Sequence, residues 1–130
     1  MGCVLYTNNT SGTVLAANAQ IPFGTIIHRK GRAANFDGNE IVVHGGCNDY
    51  AAISGVANLI AGGAGDMTVT IIVDGTPALA ISQTAAAEGD YVAIPFELVL
   101  KGTCCGPHRV IARTGAACTL NSFPVKVETV

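Results

Sequence analysis

Apolar and polar residues alternate along most of the chain, and this period of two predicts β-strands. The odd positions of residues 67–73 are apolar, and the even positions of residues 92–100 share one face. Residues 109–113 and 123–130 alternate in the same way. No segment of useful length repeats with helical spacing. Strands of this kind bury one face and leave the other in solvent, which is typical of antiparallel sheets.

Turn residues separate these segments. Asp74-Gly75 predicts a tight connection between two strands, and the glycine-rich run 62–65 predicts a hairpin tip. Pro95 lies inside a strand pattern, so that strand should be an edge strand or carry a bulge. About nine strands are predicted, near residues 4–8, 26–28, 40–44, 50–60, 67–73, 78–84, 91–100, 109–114 and 123–129. The spacing predicts an all-β antiparallel jelly-roll sandwich.

Residues 50–61 differ from the other strands, because both faces of the segment are apolar and small. One face must lie on the core, and the chain offers no helix to cover the other. A second subunit is the natural cover, so the segment predicts a homo-oligomer. The candidate interface residues are Tyr50, Ala52, Ile53, Val56, Leu59 and Ile60.

Composition strengthens the prediction of a covered surface. The chain has 130 residues, enough for one domain, and only 12% of them are charged, against about 25% in an average domain. We expect an N-terminal arm with the first strand in residues 1–18 and the jelly roll in residues 19–130. No apolar run is long enough to span a membrane, and no secretory signal is recognised, so we expect synthesis in the cytoplasm.

Charge excludes some partners. The net charge is −2, and the only dense basic cluster is His28-Arg29-Lys30-Gly31-Arg32, so nucleic-acid binding through a broad basic patch is not expected. That cluster is interpreted as a solvated loop, with contact to an acidic partner as the alternative. The aspartates in the turns lack the spacing of a calcium loop.

The cysteines and histidines give little support for a metal centre. The chain has five cysteines, an odd number, and we expect mainly buried thiols, with late oxidation between chains as the alternative. Weak candidates for zinc ligands are His44, Cys47, Cys104, Cys105 and His108. Adjacent Cys104 and Cys105 suit one tetrahedral ion poorly, so no metal or other cofactor is expected. No nucleophile motif is present, and we expect no enzymatic activity.

A resemblance emerges from Gln20-Ile21-Pro22-Phe23-Gly24-Thr25, from the run 67–77 with its Asp74-Gly75-Thr76-Pro77 turn, and from the closing stretch 124–128. In order and spacing the chain resembles the trimeric jelly rolls of the tumour-necrosis-factor and complement globular-head superfamily. It looks closest to a bacterial and phage branch, which includes phage head-fibre or capsid-decoration proteins and C-terminal domains of collagen-like spore-surface glycoproteins. The resemblance implies about ten strands, three subunits around a three-fold axis and no catalysis.

The resemblance leads to a functional hypothesis. A collagen-like Gly-X-Y stalk is absent from the sequence, which favours a homotrimeric capsid-decoration or head-fibre protein on a phage virion, made in the bacterial cytoplasm. Its partners would be its own copies, the major capsid protein or another virion surface protein, and a host-surface glycan. Cys3, Val4, Leu5 and Tyr6 are the candidate docking residues, since a strand can pair with a neighbour's open edge.

Two alternatives remain open. The first is a structural subunit of a spore surface or appendage, cross-linked through its cysteines and located on the spore or cell surface. The second is a carbohydrate-binding module, although the chain has no Trp and only three Tyr to stack on sugars.

Overall fold

Thirteen β-strands and no helix make up the part of the chain that the computed structural model describes, which is residues 3–31, 34–37, 39–44, 50–102 and 106–129. The strands are β1 (Val4–Asn8), β2 (Val14–Leu15), β3 (Gln20–Ile21), β4 (Thr25–Lys30), β5 (Ala34–Asp37), β6 (Glu40–Val43), β7 (Tyr50–Ala61), β8 (Gly65–Val73), β9 (Thr76–Ala85), β10 (Tyr91–Lys101), β11 (His108–Thr114), β12 (Cys118–Ser122) and β13 (Val125–Thr129). Each predicted strand overlaps one of these, so the all-β prediction is confirmed. Within the described ranges, no helix is long and apolar enough to cross a membrane.

The first sheet is built around the long strand β7. Strand β10 pairs with one edge of β7 from Tyr50 to Ile60. The other edge is shared, because β12 pairs with the end near Ala61 and β13 with the end near Ala51. Beyond β13 lie β1 and then β4, and beyond β12 lies β2. All of these pairings are antiparallel.

The second sheet runs in the order β5, β6, β11, β8 and β9, with β3 also paired to β11. Its pairings are antiparallel as well. The chain therefore folds into two facing antiparallel sheets. Four of its strands, β2, β3, β5 and β12, were not predicted, because they are short and carry no sustained alternation.

The core lies between the two sheets and is supplied by the apolar face of each alternating strand. Phe123 stacks on Phe23 with ring centroids 5.4 Å apart, and Phe96 lies at a tilt 6.1 Å from Phe123. The other large, fully buried side chains are Leu5, Ile21, Ile41, Ile53, Leu59, Met67, Val69, Ile71, Ile94 and Leu120. The predicted inward faces of β8, β10 and β13 are confirmed.

Two of the turn predictions have opposite outcomes. Asp74 and Gly75 both have positive φ, 52° and 81°, and join β8 to β9 as a tight hairpin, as predicted. Residues 62–65 do not form a hairpin tip, because β7 and β8 belong to different sheets. They carry the chain from one sheet to the other. Pro95 lies in β10, which pairs only with β7 among the described strands, so its predicted edge position is confirmed.

Candidate interaction surface of the first sheet

The solvent face of β7 is the apolar face for which the sequence predicts a partner. Ala52, Val56 and Ile60 point away from the core and are half-buried, and Tyr50 is exposed. Ile53 and Leu59 point the other way and are 1% and 0% exposed. The chain's own core already buries these two residues, so among the candidate interface residues only Tyr50, Ala52, Val56 and Ile60 lie on the solvent face.

Strand register extends this face sideways into an apolar band, defined as Val14, Val56, Ile60, Tyr91, Ala93 and Pro95. Thr119 of β12 stands between Val14 and Ile60, and Tyr91 is directly opposite Ile60. Pro95 is opposite Val56, and Ala93 is opposite Asn58. Val14 is 79% exposed and Tyr91 76%, which is unusual for side chains of this size. The band residues thus lie on β2, β7 and β10 at one end of the sheet, and β12 contributes Thr119 between the first two strands.

A groove of about 300 Å³ borders the apolar band. It is lined by Tyr6, Ser54, Gly55, Val56, Phe96, Pro124 and Lys126. Gly55 shapes it, because the ring of Phe96 occupies the space beside β7 that a side chain at Gly55 would need. The groove is shallow and mostly apolar, so its shape suits a side chain from a neighbouring surface better than an enclosed small molecule.

The opposite end of the same face carries charged side chains among apolar ones. Lys126 and Glu128 form an ion pair along β13, and Glu97 lies in the same row as Lys126 with Ser54 between them. Lys101 ends the row that contains Tyr50. An apolar half next to a charged half is the usual composition of a protein–protein interface, in which the apolar part supplies affinity and the charged part fixes orientation.

One strand of the adjacent sandwich edge, β9, is unusual for its lack of charge. Strands β9 and β10 are the outermost strands of their sheets, each paired with one neighbour in the described part of the chain. Strand β9 is ten residues long and has no Asp, Glu, Lys or Arg. Long uncharged edges promote uncontrolled strand pairing, and natural proteins cover or charge them. This edge therefore also indicates a surface that is covered in the assembled protein.

The predicted docking residues are placed differently from the prediction. Strand β1 is paired on both edges, with β13 on one side and β4 on the other. Leu5 is 0% exposed, and Cys3, Val4 and Tyr6 are half-buried. Because β1 is paired on both edges, docking through this segment would have to use side chains and not strand pairing.

The weak metal candidates do not assemble among the described residues. His44 is exposed, while Cys47, Cys104 and Cys105 lie outside the described residues. His108 directs Nδ1 at Oδ2 of Asp74, 2.6 Å away, and Nε2 at the carbonyl oxygen of Lys101, 2.7 Å away. Both ring nitrogens are thus engaged, and no cluster of three potential ligands is found in the described ranges.

Asp74 and His108 hold the β8–β9 turn to β11. The Asp74 Oδ1 accepts a hydrogen bond from the backbone N–H of Arg109, and the Asp74 N–H donates to the Arg109 carbonyl. Burial raises the pKa of Asp74, but its hydrogen bonds with His108 and Arg109 and the charge of the imidazole outweigh this and lower it overall. The pKa of His108 is raised, mainly by the hydrogen bond to Asp74.

Sequence comparison finds no matching protein-family profile and no matching curated protein. Structural comparison finds clear similarity. Murine APRIL superimposes with a TM-score of 0.70 at 13% identity, with 98% of each chain covered. The globular domain of zebrafish complement 1qA protein gives 0.64 at 8% identity, covering 96% of this chain and 94% of that one. PRD1 vertex protein P5 gives 0.60 at 13% identity, with 98% and 94% covered.

These identities are too low to carry function, whereas the TM-scores and the nearly complete coverage establish the fold. A virion protein and eukaryotic proteins are similar to the chain at nearly full length, so the shared architecture alone does not select one branch. The protein has an all-β antiparallel jelly-roll fold, similar to those of murine APRIL and the globular domain of zebrafish complement 1qA protein.

Proposed function

We propose that the protein is a non-enzymatic, homotrimeric structural protein of a phage virion, which decorates the capsid surface or forms a head fibre. The observation that carries the proposal is the apolar band on the solvent face of the first sheet. Val14 and Tyr91 are highly exposed on the same face of the sheet, and apolar side chains grouped on an exposed face mark an interaction surface. A second copy of the chain provides a cover of matching chemistry.

The neighbouring edge, with its uncharged strand β9, supports a closed ring of subunits. If the β9 and β10 edge of one subunit lies against the apolar band of the next, each subunit uses two different surfaces. Such a head-to-tail contact produces a closed ring when the rotation between neighbouring subunits is an exact fraction of a full turn, and a rotation of one third gives three subunits. The resemblance to trimeric jelly rolls supports the same number.

The virion assignment has its own support. The chain resembles phage decoration and head-fibre proteins in its motifs, and PRD1 vertex protein P5 is similar to it over nearly the full length of both chains. A small jelly roll that trimerises through one sheet leaves its other sheet and its strand ends free. Those surfaces are available for the capsid on one side and for the surroundings, including host-surface glycans, on the other.

The oligomer is tested by the mass of the native particle, measured by light scattering on a sizing column with and without reductant. We expect about 40 kDa in both conditions, three times the 13.2 kDa chain. A mass near one chain would reject the interface. Polymers that dissolve on reduction would instead favour the cysteine-linked spore or appendage subunit.

The virion location is tested with antibodies raised against the purified protein. In purified phage particles that carry the gene, immunogold labelling should decorate the capsid surface, and mass spectrometry should detect the chain. Particles from a deletion strain are the control and should lose the label. Intact wild-type particles that contain no copy of the protein would reject the proposal, even if the purified protein is a trimer.

A further inference from the structure

Strand β4 (Thr25–Lys30) is the outermost strand of the first sheet on the side away from β10. It pairs with β1 and with no other strand in the described part of the chain. All six of its residues are exposed. Its outer edge therefore presents backbone N–H and C=O groups to solvent, the arrangement to which an additional strand can pair.

The strand carries three successive basic side chains, His28, Arg29 and Lys30. No carboxylate contacts any of them among the described residues. The guanidinium of Arg29 donates to Oδ1 of Asn35, a neutral amide. In a chain with a net charge of −2, this is a local positive charge that no carboxylate of the described residues pairs with.

The nearest carboxylate in the same row of the sheet is also occupied. Lys30 is opposite Val4, which is opposite Glu128, and Glu128 is ion-paired with Lys126. Among the described residues, Lys30 therefore has no carboxylate partner, and its charge can pair with one from another protein. The sequence interpretation of residues 28–32 as a solvated loop is corrected for His28–Lys30, which belong to an exposed edge strand, while Arg32 lies outside the described residues.

We infer that the β4 edge binds an extended acidic segment of a partner protein by strand addition. Backbone hydrogen bonds along β4 supply part of the affinity. Since alternate residues of a strand share a face, acidic residues at every second position of the incoming segment lie beside His28 and Lys30. The inference rests on the proposed function, since it names the chemistry by which a decoration protein contacts a shell protein.

A register shift limits where the partner pairs. Ile27 has no partner residue in β1, because Tyr6 pairs with His28 and Thr7 pairs with Ile26. The bulge leaves Ile27 59% exposed. An incoming strand can therefore form regular backbone hydrogen bonds with His28–Lys30 and an apolar contact with Ile27. These contacts suit a segment in which acidic residues alternate with valine or isoleucine.

The probe is a fluorescent octapeptide in which glutamate alternates with valine, measured by anisotropy at low salt with the trimeric protein. The expected result is saturable binding. A peptide of equal charge with N-methyl groups on alternate backbone nitrogens should bind at least about ten-fold more weakly, because it loses hydrogen bonds along one edge. Equal binding of both peptides would overturn the inference, since attraction by charge alone would then explain it.

Matched charge reversals locate the site. Lys30→Glu should weaken octapeptide binding about five-fold or more, whereas Arg113→Glu, an equally exposed strand residue of the second sheet, should change it less than two-fold. Lys30→Gln should give an intermediate loss of octapeptide affinity, and it replaces Lys30→Glu in the experiment if that variant misfolds. Equal effects of Lys30→Glu and Arg113→Glu would overturn the inference, as would absence of binding to the wild type.

Different results would reject the virion function and the β4 site. Wild-type trimers present on phage particles but unable to bind the octapeptide would remove only the β4 inference. Octapeptide binding with the expected variant pattern, by a protein absent from the particles, would keep the β4 site and remove the virion function.

Discussion

Gly55 of β7 stands directly opposite Phe96 of β10, and the ring of Phe96 occupies the space that a side chain at Gly55 would need. A β-carbon at this position would lie 2.9 Å from Cζ of Phe96 and 2.6 Å from the carbonyl oxygen of Pro124. That carbonyl also accepts a hydrogen bond from the N–H of Val56. Gly55 therefore contacts the buried ring of Phe96 and also lines the groove on the solvent face.

Replacing this glycine should destabilise the fold. Gly55→Ala is expected to lower the free energy of unfolding by about 1–3 kcal/mol, because backbone and a packed ring must both move. Gly63→Ala is the matched control, since a β-carbon there has nothing within 4 Å. Urea denaturation measures both. An equal loss in the two variants would show that close packing at Gly55 is not the cause.

The apolar band should control assembly. Val56→Glu places a charge in the middle of the proposed interface, and we expect the native mass to fall from three chains to one, because a buried unpaired charge is costly. Tyr91→Ala, at a side chain 76% exposed in one subunit, should weaken the trimer without harming the fold. Light scattering at several concentrations measures both.

The control for the interface variants is Thr70→Glu, on the solvent face of the second sheet opposite Arg113. It should leave the trimer mass unchanged. A trimer that survives Val56→Glu with an unchanged thermal midpoint would place the subunit contacts elsewhere.

Stability should depend on pH through His108 and Asp74. The pKa of His108 is raised above 6.5, so its stabilisation is complete below about pH 6.5 and is lost as the pH rises through the folded-state value. The pKa of Asp74 is lowered below 3.8, so its contribution is present above that pH and is lost in stronger acid. The pair therefore stabilises the fold most between about pH 4 and 6.5.

Denaturation at pH 6 and at pH 9 tests this pair. Between pH 6 and pH 9, the contribution of this pair to the free energy of unfolding of the wild type should fall by up to about 1 kcal/mol. The value is modest because the Asp74 side chain is 49% exposed. His108→Gln should remove most of the difference, whereas His28→Gln at the exposed strand β4 should keep it. An unchanged pH dependence in His108→Gln would contradict the assignment.

The hydroxyl of Thr7 is buried in β1 and has no hydrogen-bond partner among the described residues. Thr7→Val keeps the shape and removes the unpaired group, so it should raise the free energy of unfolding by about 1 kcal/mol. Thr114→Val is the contrasting variant, because the Thr114 hydroxyl donates to the carbonyl of Ala116 at 2.8 Å. It should destabilise by a similar amount. An equal loss of unfolding free energy in both variants would mean that the Thr7 hydroxyl makes a hydrogen bond in the folded protein.

Cys118 should be chemically inert in the folded protein. Its side chain is buried, and burial raises the pKa of the thiol, with the Thr114 hydroxyl 3.7 Å from Sγ opposing the shift only in part. Since the thiolate is the reactive form, N-ethylmaleimide should modify Cys118 rapidly in urea and very slowly in native protein. Peptide mass spectrometry measures both rates. Rapid native labelling would show that this end of the sandwich opens.

Alternation along the sequence identified the strands that bury one apolar face. Val92, Ile94 and Phe96 of β10 and Val125 and Val127 of β13 are buried as predicted, because a period of two fixes which side chains share a face. The edge position of Pro95 followed from its missing N–H group. These are local properties, and they give the all-β class without knowledge of any contact.

Periodicity failed where both faces of a strand are apolar. Nothing in the pattern of β7 distinguishes Ile53 and Leu59, which lie in the core, from Val56 and Ile60, which face solvent. The order of strands makes that choice, because it decides which face meets the second sheet. The same holds for Val14, which joins the apolar band only through the pairing of β2 with β12.

What the sequence by itself determined is the strand content, the core face of each alternating strand and the low charge that favours a covered surface. Only the tertiary structure decided that β1 is an inner strand, that β4 is an open basic edge, and that Asp74 meets His108 across 34 positions of sequence. The physical reason is that strand pairing and sheet facing depend on contacts between distant segments, whereas alternation depends on neighbours along one strand.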